Sequence, residues 1–251
     1  MMDAINEIAD TITGKTLPHV AKQMNCCYLI FMTIQACKTH DYAWHKKNWF
    51  LSYCKAVLYG FGCDIILSIL MGKSSVEAMS VNRSLALIAL AWWLVLFLPY
   101  DVFNKFLYFK VGEIQPMFLI MVTFATARRM VKTSVAVEAC LAAYPGSYIA
   151  VLAGTLVSNG TTIVADVFGD FADRITNITT GRLAVSASIM FTLIGTGVIT
   201  SISHSLALAF FVVFGIIVES MEASNYHFKG FDYMHDAIGK IIATKDWVGK
   251  K

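Results

Sequence analysis

Charge is what this chain has least of. Of its 251 residues only 15% are Asp, Glu, Lys or Arg, against 57% hydrophobic, whereas a soluble domain carries roughly 25% charged residues. That shortage excludes an ordinary water-soluble domain, and the net charge of +3 says less than where the charges fall. The six cysteines, Cys26, Cys27, Cys37, Cys54, Cys63 and Cys140, lie mostly in apolar segments. No two form a C-x-x-C pair, so neither a disulfide framework nor a zinc site is suggested. Low-complexity stretches are missing. So is a cleavable signal peptide: residues 1–19 hold Asp3, Glu7, Asp10 and Pro18, and no apolar core precedes a small-residue cleavage site. Paired ligands for metal or acid chemistry are missing too. His40 and His45 are five apart in a loop, and Asp64 and Asp166 form no recognisable motif. The expectation is therefore no enzyme, no catalytic residue, no metal and no nucleic-acid partner.

What is present is a series of apolar runs separated by short polar loops. The spans read as Val20–Cys37, Trp49–Gly72, Leu85–Phe103, Pro116–Tyr144, Tyr148–Phe168, Leu183–Ile202 and Leu206–Val218. This is an all-α membrane protein with seven expected transmembrane helices. Residues 1–19 form an N-terminal arm, 20–221 the seven-span domain, and 222–251 a polar C-terminal tail. Pro145-Gly146 turns the chain between spans four and five. Lys and Arg are asymmetric across the membrane. The tail and the loops after spans one, three and five hold Lys38, Lys46, Lys47, Lys105, Lys110, Arg174, Arg182, Lys229, Lys240, Lys245, Lys250 and Lys251, while the opposite side holds Lys15, Lys73 and Arg83. By the positive-inside rule the N-terminus is luminal and the C-terminus cytosolic.

Two features inside the spans need explaining. The first is a basic cluster, Arg128, Arg129 and Lys132, within the apolar run Phe118–Val137. These positions share one broad helix face, and each charge at bilayer depth costs roughly 2.5–3.5 kcal/mol on insertion scales. Counted from Pro116, Arg128 lies about 18 Å along the helix at 1.5 Å per residue, too deep to snorkel easily. The cluster needs an anion, a water-filled cavity, or both. The second feature is that spans two and five are interrupted at matching places, one by Gly60, Gly62 and Asp64, the other by Gly154 and Ser158-Asn159-Gly160. Interrupted segments at matching positions in two halves point to an inverted repeat with its site between the halves. Spans 1–3 and 4–6 are the expected repeats, and the seventh helix is an addition. The competing reading is that these glycines only let helices pack closely.

With these residues in view, the chain resembles the trimeric intracellular cation (TRIC) channels. The similarity is strongest in span three, from Asn82-Arg83-Ser84-Leu85 through Trp92-Trp93 to Pro99-Tyr100-Asp101-Val102-Phe103. Span two carries Phe61-Gly62 through Leu70-Met71-Gly72, and span five the glycines Gly154 and Gly160. The resemblance covers about residues 20–220 and points to a B-type-like, divergent invertebrate member. It departs from the family pattern in span four. There Lys-Glu-Val is replaced, Arg128 and Lys132 supply the basic pair at i, i+4, and Arg129 stands where the family has Glu. The lysine of the family's Lys-Gly-Ser-Gly is also missing from span five.

The resemblance implies a homotrimer of the endoplasmic or sarcoplasmic reticulum membrane, with one pore per subunit between bent helices two and five. Potassium would flow there as counter-ion to calcium release. It also implies PtdIns(4,5)P2 as a bound lipid at Arg128, Arg129 and Lys132, with Gly60, Gly62, Asp64, Gly154, Ser158, Asn159 and Gly160 as pore and hinge residues. Three fixed cations would repel potassium, so a polyanionic headgroup is the expected neutraliser. The alternative is a seven-span sugar uniporter or other small-solute transporter, whose first helix would carry an internal proline that span one lacks.

Overall fold

The computed structural model describes residues 18–98, 102–110, 115–165, 179–223 and 230. The arm before Pro18, Asp101, Glu113, Asp166, Arg174, Asn177 and almost all of the tail lie outside the described residues. Every regular element among those described is a helix. In chain order they are α1 (Pro18–Cys37), α2 (Tyr42–Lys47), α3 (Trp49–Leu70), α4 (Ser75–Met79), α5 (Asn82–Phe97), α6 (Val102–Leu107), α7 (Pro116–Ala143), α8 (Ile149–Ser158), α9 (Gly160–Ala165), α10 (Thr179–Gly195) and α11 (His204–Ala223). Each expected span falls on one helix, except the third, whose last residues reach α6, and the fifth, which falls on α8 and α9. Trp49–Leu70 and His204–Glu222 are long and apolar enough to cross a membrane by length and composition. The apolar helices Asn82–Phe97, Ile149–Ser158 and Gly181–Gly195 are shorter.

Local chemistry sets the boundaries. Pro116 opens α7 at its first turn, where a missing N–H costs nothing. The helix closes with the Tyr144 N–H on the Cys140 carbonyl, and Gly146, at φ 76, reverses the chain. Span three stops earlier than expected. Leu98 is extended at ψ 127, as a residue before proline prefers, so α5 ends at Phe97. Span six also stops early, at Gly195, and Gly197 takes a left-handed φ of 76.

Polar and charged side chains are buried among the helices, while many large apolar ones face outward. Thr33, Thr126, Arg129, Lys132, Thr133, Ser134, Ser158, Ser188, Thr192 and Glu219 are buried, while Trp49, Phe50, Leu90, Phe106, Ile120, Leu152, Phe210 and Ile217 are exposed. Hydroxyls on the helices return their hydrogen to a carbonyl one turn back, as Thr33 does to Leu29 at 2.8 Å and Thr192 to Ser188 at 2.8 Å. Several buried hydroxyls are thus satisfied within their own helix. So much exposed apolar surface is unlike a soluble monomer and fits a chain surrounded by lipid.

Packing divides the helices into two groups. In one, α1, α3 and α5 touch one another; in the other, α7, α8 and α10 do. The groups meet through α1 against α7 and through α3 against α8 and α9, and α11 packs on α7 and α10. Each group has its own apolar cluster, around Tyr28, Phe61 and Ile88 in the first and around Val137, Leu183 and Phe191 in the second. Helix α7 contributes to both.

Candidate functional site

Glycine sets the geometry where the two groups cross. A Cβ on Gly62 would lie 2.6 Å from the Gly160 carbonyl oxygen and 2.6 Å from the Thr161 nitrogen. A Cβ on Gly160 would lie 2.6 Å from the Gly62 oxygen and 2.7 Å from the Cys63 Cα. Backbone therefore rests on backbone, each glycine facing its counterpart in the other group. The other two glycines correspond in the same way. Gly60 of α3 faces Leu29 of α1 and Ile88 of α5, and Gly154 of α8 faces Val137 of α7 and Ser188 of α10.

The two expected interruptions differ. Span five is interrupted at Asn159, whose φ of −96 and ψ of 8 separate α8 from α9. The break is shallow: the Asn159 N–H still reaches the Thr155 carbonyl at 3.2 Å, and the Ile163 N–H reaches the Asn159 carbonyl at 3.1 Å. The Asn159 side chain donates to the Thr155 carbonyl at 2.9 Å. Span two, by contrast, is unbroken: α3 runs as one helix through Gly60, Gly62 and Asp64. Its glycines stand at close approaches to neighbouring helices.

Polar side chains collect beside the crossing. The Tyr28 hydroxyl of α1 is 3.1 Å from the Cys63 sulfur and 3.1 Å from Thr161 Oγ1. Ser158 Oγ is buried and has no hydrogen-bond partner. The Lys132 Nζ stands 4.6 Å from the centre of the Tyr28 ring and donates to Asp64 Oδ2 at 2.8 Å. This pair ties α7 to α3 across the boundary between the groups. Lys132, Asp64, Gly62, Gly160, Ser158 and Asn159 are thus brought to one neighbourhood. Gly60 and Gly154 sit within their own groups instead.

The three cations meet three different fates. Arg129 Nη1 donates to Glu219 Oε1 of α11 at 2.6 Å, and Thr126 Oγ1 donates to the other carboxylate oxygen of Glu219. Lys132 has Asp64. Arg128 keeps a buried Nε with no partner. The sequence ends span seven at Val218 and so leaves Glu219 just outside the helix, with no acid on that span to meet the cluster. The structure corrects this. Helix α11 continues to Ala223, and the buried positions Leu208, Val212 and Gly215 continue at helical spacing onto Glu219. That periodicity was the available signal. At 28 residues, α7 is about 42 Å long at 1.5 Å per residue, more than a hydrocarbon core of about 30 Å, so depth counted from Pro116 is an upper bound. Nothing in the sequence singled out Tyr28, Cys63 or Thr161. Among the described residues, no group of His, Cys, Asp and Glu is arranged to hold a metal ion.

A helical membrane protein with paired charges and a polar seam between two helix groups is the architecture of a channel or carrier. Comparison with known proteins decides between them. The family model for the TRIC channel matches residues 38–224, and the chain belongs to that family. Its members are channels, not enzymes, and the sugar-uniporter alternative falls away. The rat trimeric intracellular cation channel type A is 24% identical over 206 residues, 79% of this chain and 68% of that protein. The type A channel of Xenopus tropicalis is 26% identical over 123 residues, 49% of this chain and only 40% of its own length. A trimeric intracellular cation channel from C. elegans, solved in the absence of Ca2+, superposes with a TM-score of 0.72 at 18% identity, over 88% of this chain and 97% of the worm protein. A structure of TRIC counter-ion channels active in calcium release gives 0.67 at 18% identity, over 82% of this chain and 98% of the other. At these identities the structural likeness concerns the fold.

Proposed function

We propose that this chain is a potassium-conducting counter-ion channel of the endoplasmic or sarcoplasmic reticulum membrane. In this reading it is a homotrimer with seven membrane helices per subunit. Helices α1, α3 and α5 form one repeat, inverted relative to α7, α8–α9 and α10, and α11 is the added seventh. The N-terminus is luminal and the C-terminus cytosolic. Each subunit carries its own path beside the crossing of α3 with α8 and α9. The family match supports a channel. The relatives named as trimeric intracellular cation channels, and as counter-ion channels in calcium release, support the ion class, the assembly and the membrane.

The observation that carries the reading is the Lys132–Asp64 pair. It bridges the two helix groups at 2.8 Å, with Lys132 5% and Asp64 34% exposed on the side chain. A lysine held on a half-exposed carboxylate is a plug made of charge. While it stays, Asp64 is neutralised and a cation finds Lys132 facing it. If an anion draws Lys132 away, Asp64 can replace part of a potassium ion's hydration, together with the Ser158 hydroxyl and the Asn159 amide oxygen. PtdIns(4,5)P2 is the anion proposed. Its phosphates would engage the spare donor of Arg128 first and then Lys132, with Arg129 behind them. Charge-assisted hydrogen bonds to phosphate make such an exchange competitive with the ion pair. The experiment is purified protein in planar bilayers under a potassium gradient, with and without the phosphoinositide. Potassium currents that the lipid increases are expected. A folded protein that passes no potassium with or without the lipid overturns the channel reading. Currents indifferent to the lipid overturn the gating.

A further inference from the structure

We infer that Glu219 is a selectivity-determining residue, which makes the path cationic by cancelling Arg129. The inference rests on the ion path proposed above. Arg129 and Lys132 are three apart on α7, so their side chains leave the same face within one turn. Among the described residues, two of the three cations have an acid as ion-pair partner, Lys132 on Asp64 and Arg129 on Glu219. Without Glu219, Arg129 would place a second uncompensated charge beside the path, added to that of Arg128.

The geometry holds Glu219 to this task. Both of its oxygens are engaged, one by Arg129 at 2.6 Å and the other by Thr126. Both members of the pair are only 9% exposed on their side chains. Neither can exchange its partner for water without losing a buried charge pair. Gly215, one helical turn before Glu219, brings α11 against α7: a Cβ there would sit 2.9 Å from Leu183 Cδ2 and 3.0 Å from Thr126 Cγ2. The close approach delivers the carboxylate to Arg129. With both oxygens engaged by Arg129 and Thr126, Glu219 is not offered to a permeant ion. It acts through Arg129 and is a positioning residue whose signature is selectivity rather than conductance.

The test measures the potassium-to-chloride permeability ratio from reversal potentials of the full-length protein in a KCl gradient. Glu219→Gln is expected to lower the ratio about tenfold, which corresponds to about 1.4 kcal/mol of unscreened repulsion. Arg129→Gln is expected to raise it, because Glu219 then stands unopposed. The double variant Arg129→Gln/Glu219→Gln is expected to bring the ratio back toward the parent value. Asp64→Asn serves as the control for the path itself. If it shifts the ratio while folded Glu219→Gln does not, the inference is overturned and the path stands. If neither shifts it, the path is misplaced and the inference falls with it. A double variant as poorly selective as Glu219→Gln shows that Glu219 does not act through Arg129 and also overturns it. Should Glu219→Gln fail to fold, Arg129→Gln decides the matter: an unchanged ratio there sinks the proposal.

Discussion

Two ion pairs lie one turn apart on α7 and differ in their surroundings. Arg129 and Glu219 are each 9% exposed on the side chain, and Thr126 gives the carboxylate a second donor. Lys132 is as deeply buried at 5%, but Asp64 is 34% exposed, and its second oxygen has no partner among the described residues. A sealed pair loses everything when one member leaves, because the other is stranded without water. An open pair loses less, because solvent or a mobile ion can replace the departing group. Burial of the acid, rather than the charges involved, separates a pair that fixes structure from one that can exchange. The same difference separates two links to α7: α11 packs on it with its acid enclosed, and α3 reaches it through Lys132 with Asp64 left open.

The largest effect should come from breaking the sealed pair. Glu219→Ala leaves the Arg129 guanidinium buried and unpaired, a change that costs about 3–5 kcal/mol. Asp64→Ala leaves Lys132 with a partly solvated exit and should cost clearly less. Thermal melts of both variants in one detergent give the comparison directly. Equal losses would show that the two pairs are equivalent and would remove the distinction. Replacing both Arg129 and Glu219 with apolar residues of similar volume should recover most of the lost stability, as buried pairs elsewhere do.

Next in size is lipid affinity, where the comparison predicts an order among the three cations. Arg128 has a spare buried donor, Lys132 must first leave Asp64, and Arg129 is committed to Glu219. Arg128→Ala should therefore weaken PtdIns(4,5)P2 binding most. A charge-assisted hydrogen bond is worth about 1.5–3 kcal/mol, or one to two orders of magnitude in affinity. Lys132→Ala should cost less, and Arg129→Gln paired with Glu219→Gln least. Lipid-overlay or vesicle-flotation titrations rank them. Equal losses at all three positions would mean that the lipid opens both ion pairs on binding.

The glycine crossing sharpens the comparison from the uncharged side. Gly62→Ala and Gly160→Ala each drive a methyl into backbone atoms of the facing helix. Overpacking of that kind costs about 1–3 kcal/mol. Gly60→Ala meets the tip of the Ile88 side chain instead, at 2.7 Å from Cδ1, and a rotamer change can absorb it. Melting temperatures should therefore fall more for Gly62 and Gly160 than for Gly60. The reverse order would show that the helices slide apart easily.

Much of this fold was legible in the sequence because apolar run length and turn residues report helices directly. Pro116, Pro145-Gly146 and the runs themselves placed α7 and the start of α8 to within a residue or two. The matching glycines were legible as a pair, but their physical role was not: a glycine that bends a helix and one that lets another backbone touch it look alike in one dimension. The basic cluster was visible for the same reason that its partners were hidden. A cation inside an apolar run is conspicuous, whereas Glu219 lies one residue past the expected end of span seven at Val218, where an acid draws no notice. Pairing across 90 positions, as between Arg129 and Glu219, leaves no local trace. Tyr28 and Thr161, 133 apart, meet only because two glycines let the helices touch.

The smallest effect concerns a charge outside the helix bundle, and it tests whether burial alone moves a group's titration. Lys38 follows α1, and its Nζ stands 4.3 Å from the centre of the Tyr108 ring. The Tyr108 hydroxyl is buried without a hydrogen-bond partner. Burial pushes the phenol up to about 12 and pulls the Lys38 ammonium below its ordinary value. The two shifts act in opposite senses. For Tyr108, the unfolded chain loses its proton near pH 10 while the folded one holds it. Its contribution is therefore complete below pH 10 and is lost as pH rises from there through about 12. For Lys38, the unfolded chain holds a proton that the folded chain gives up sooner, so stability rises with pH between the lowered folded value and the ordinary one near 10.4. Tyr108→Phe should remove the alkaline fall and leave the rise due to Lys38. At pH 7 it should change stability by well under about 1 kcal/mol, because no hydrogen bond is lost with the hydroxyl. Lys38→Gln should remove the rise and leave the fall. Melting temperatures of the parent and both variants between pH 8 and pH 12 separate the two. A parent and a Tyr108→Phe variant with identical alkaline profiles would show that the phenol is solvated in the folded protein, and that partial burial next to a cation is too weak to move it.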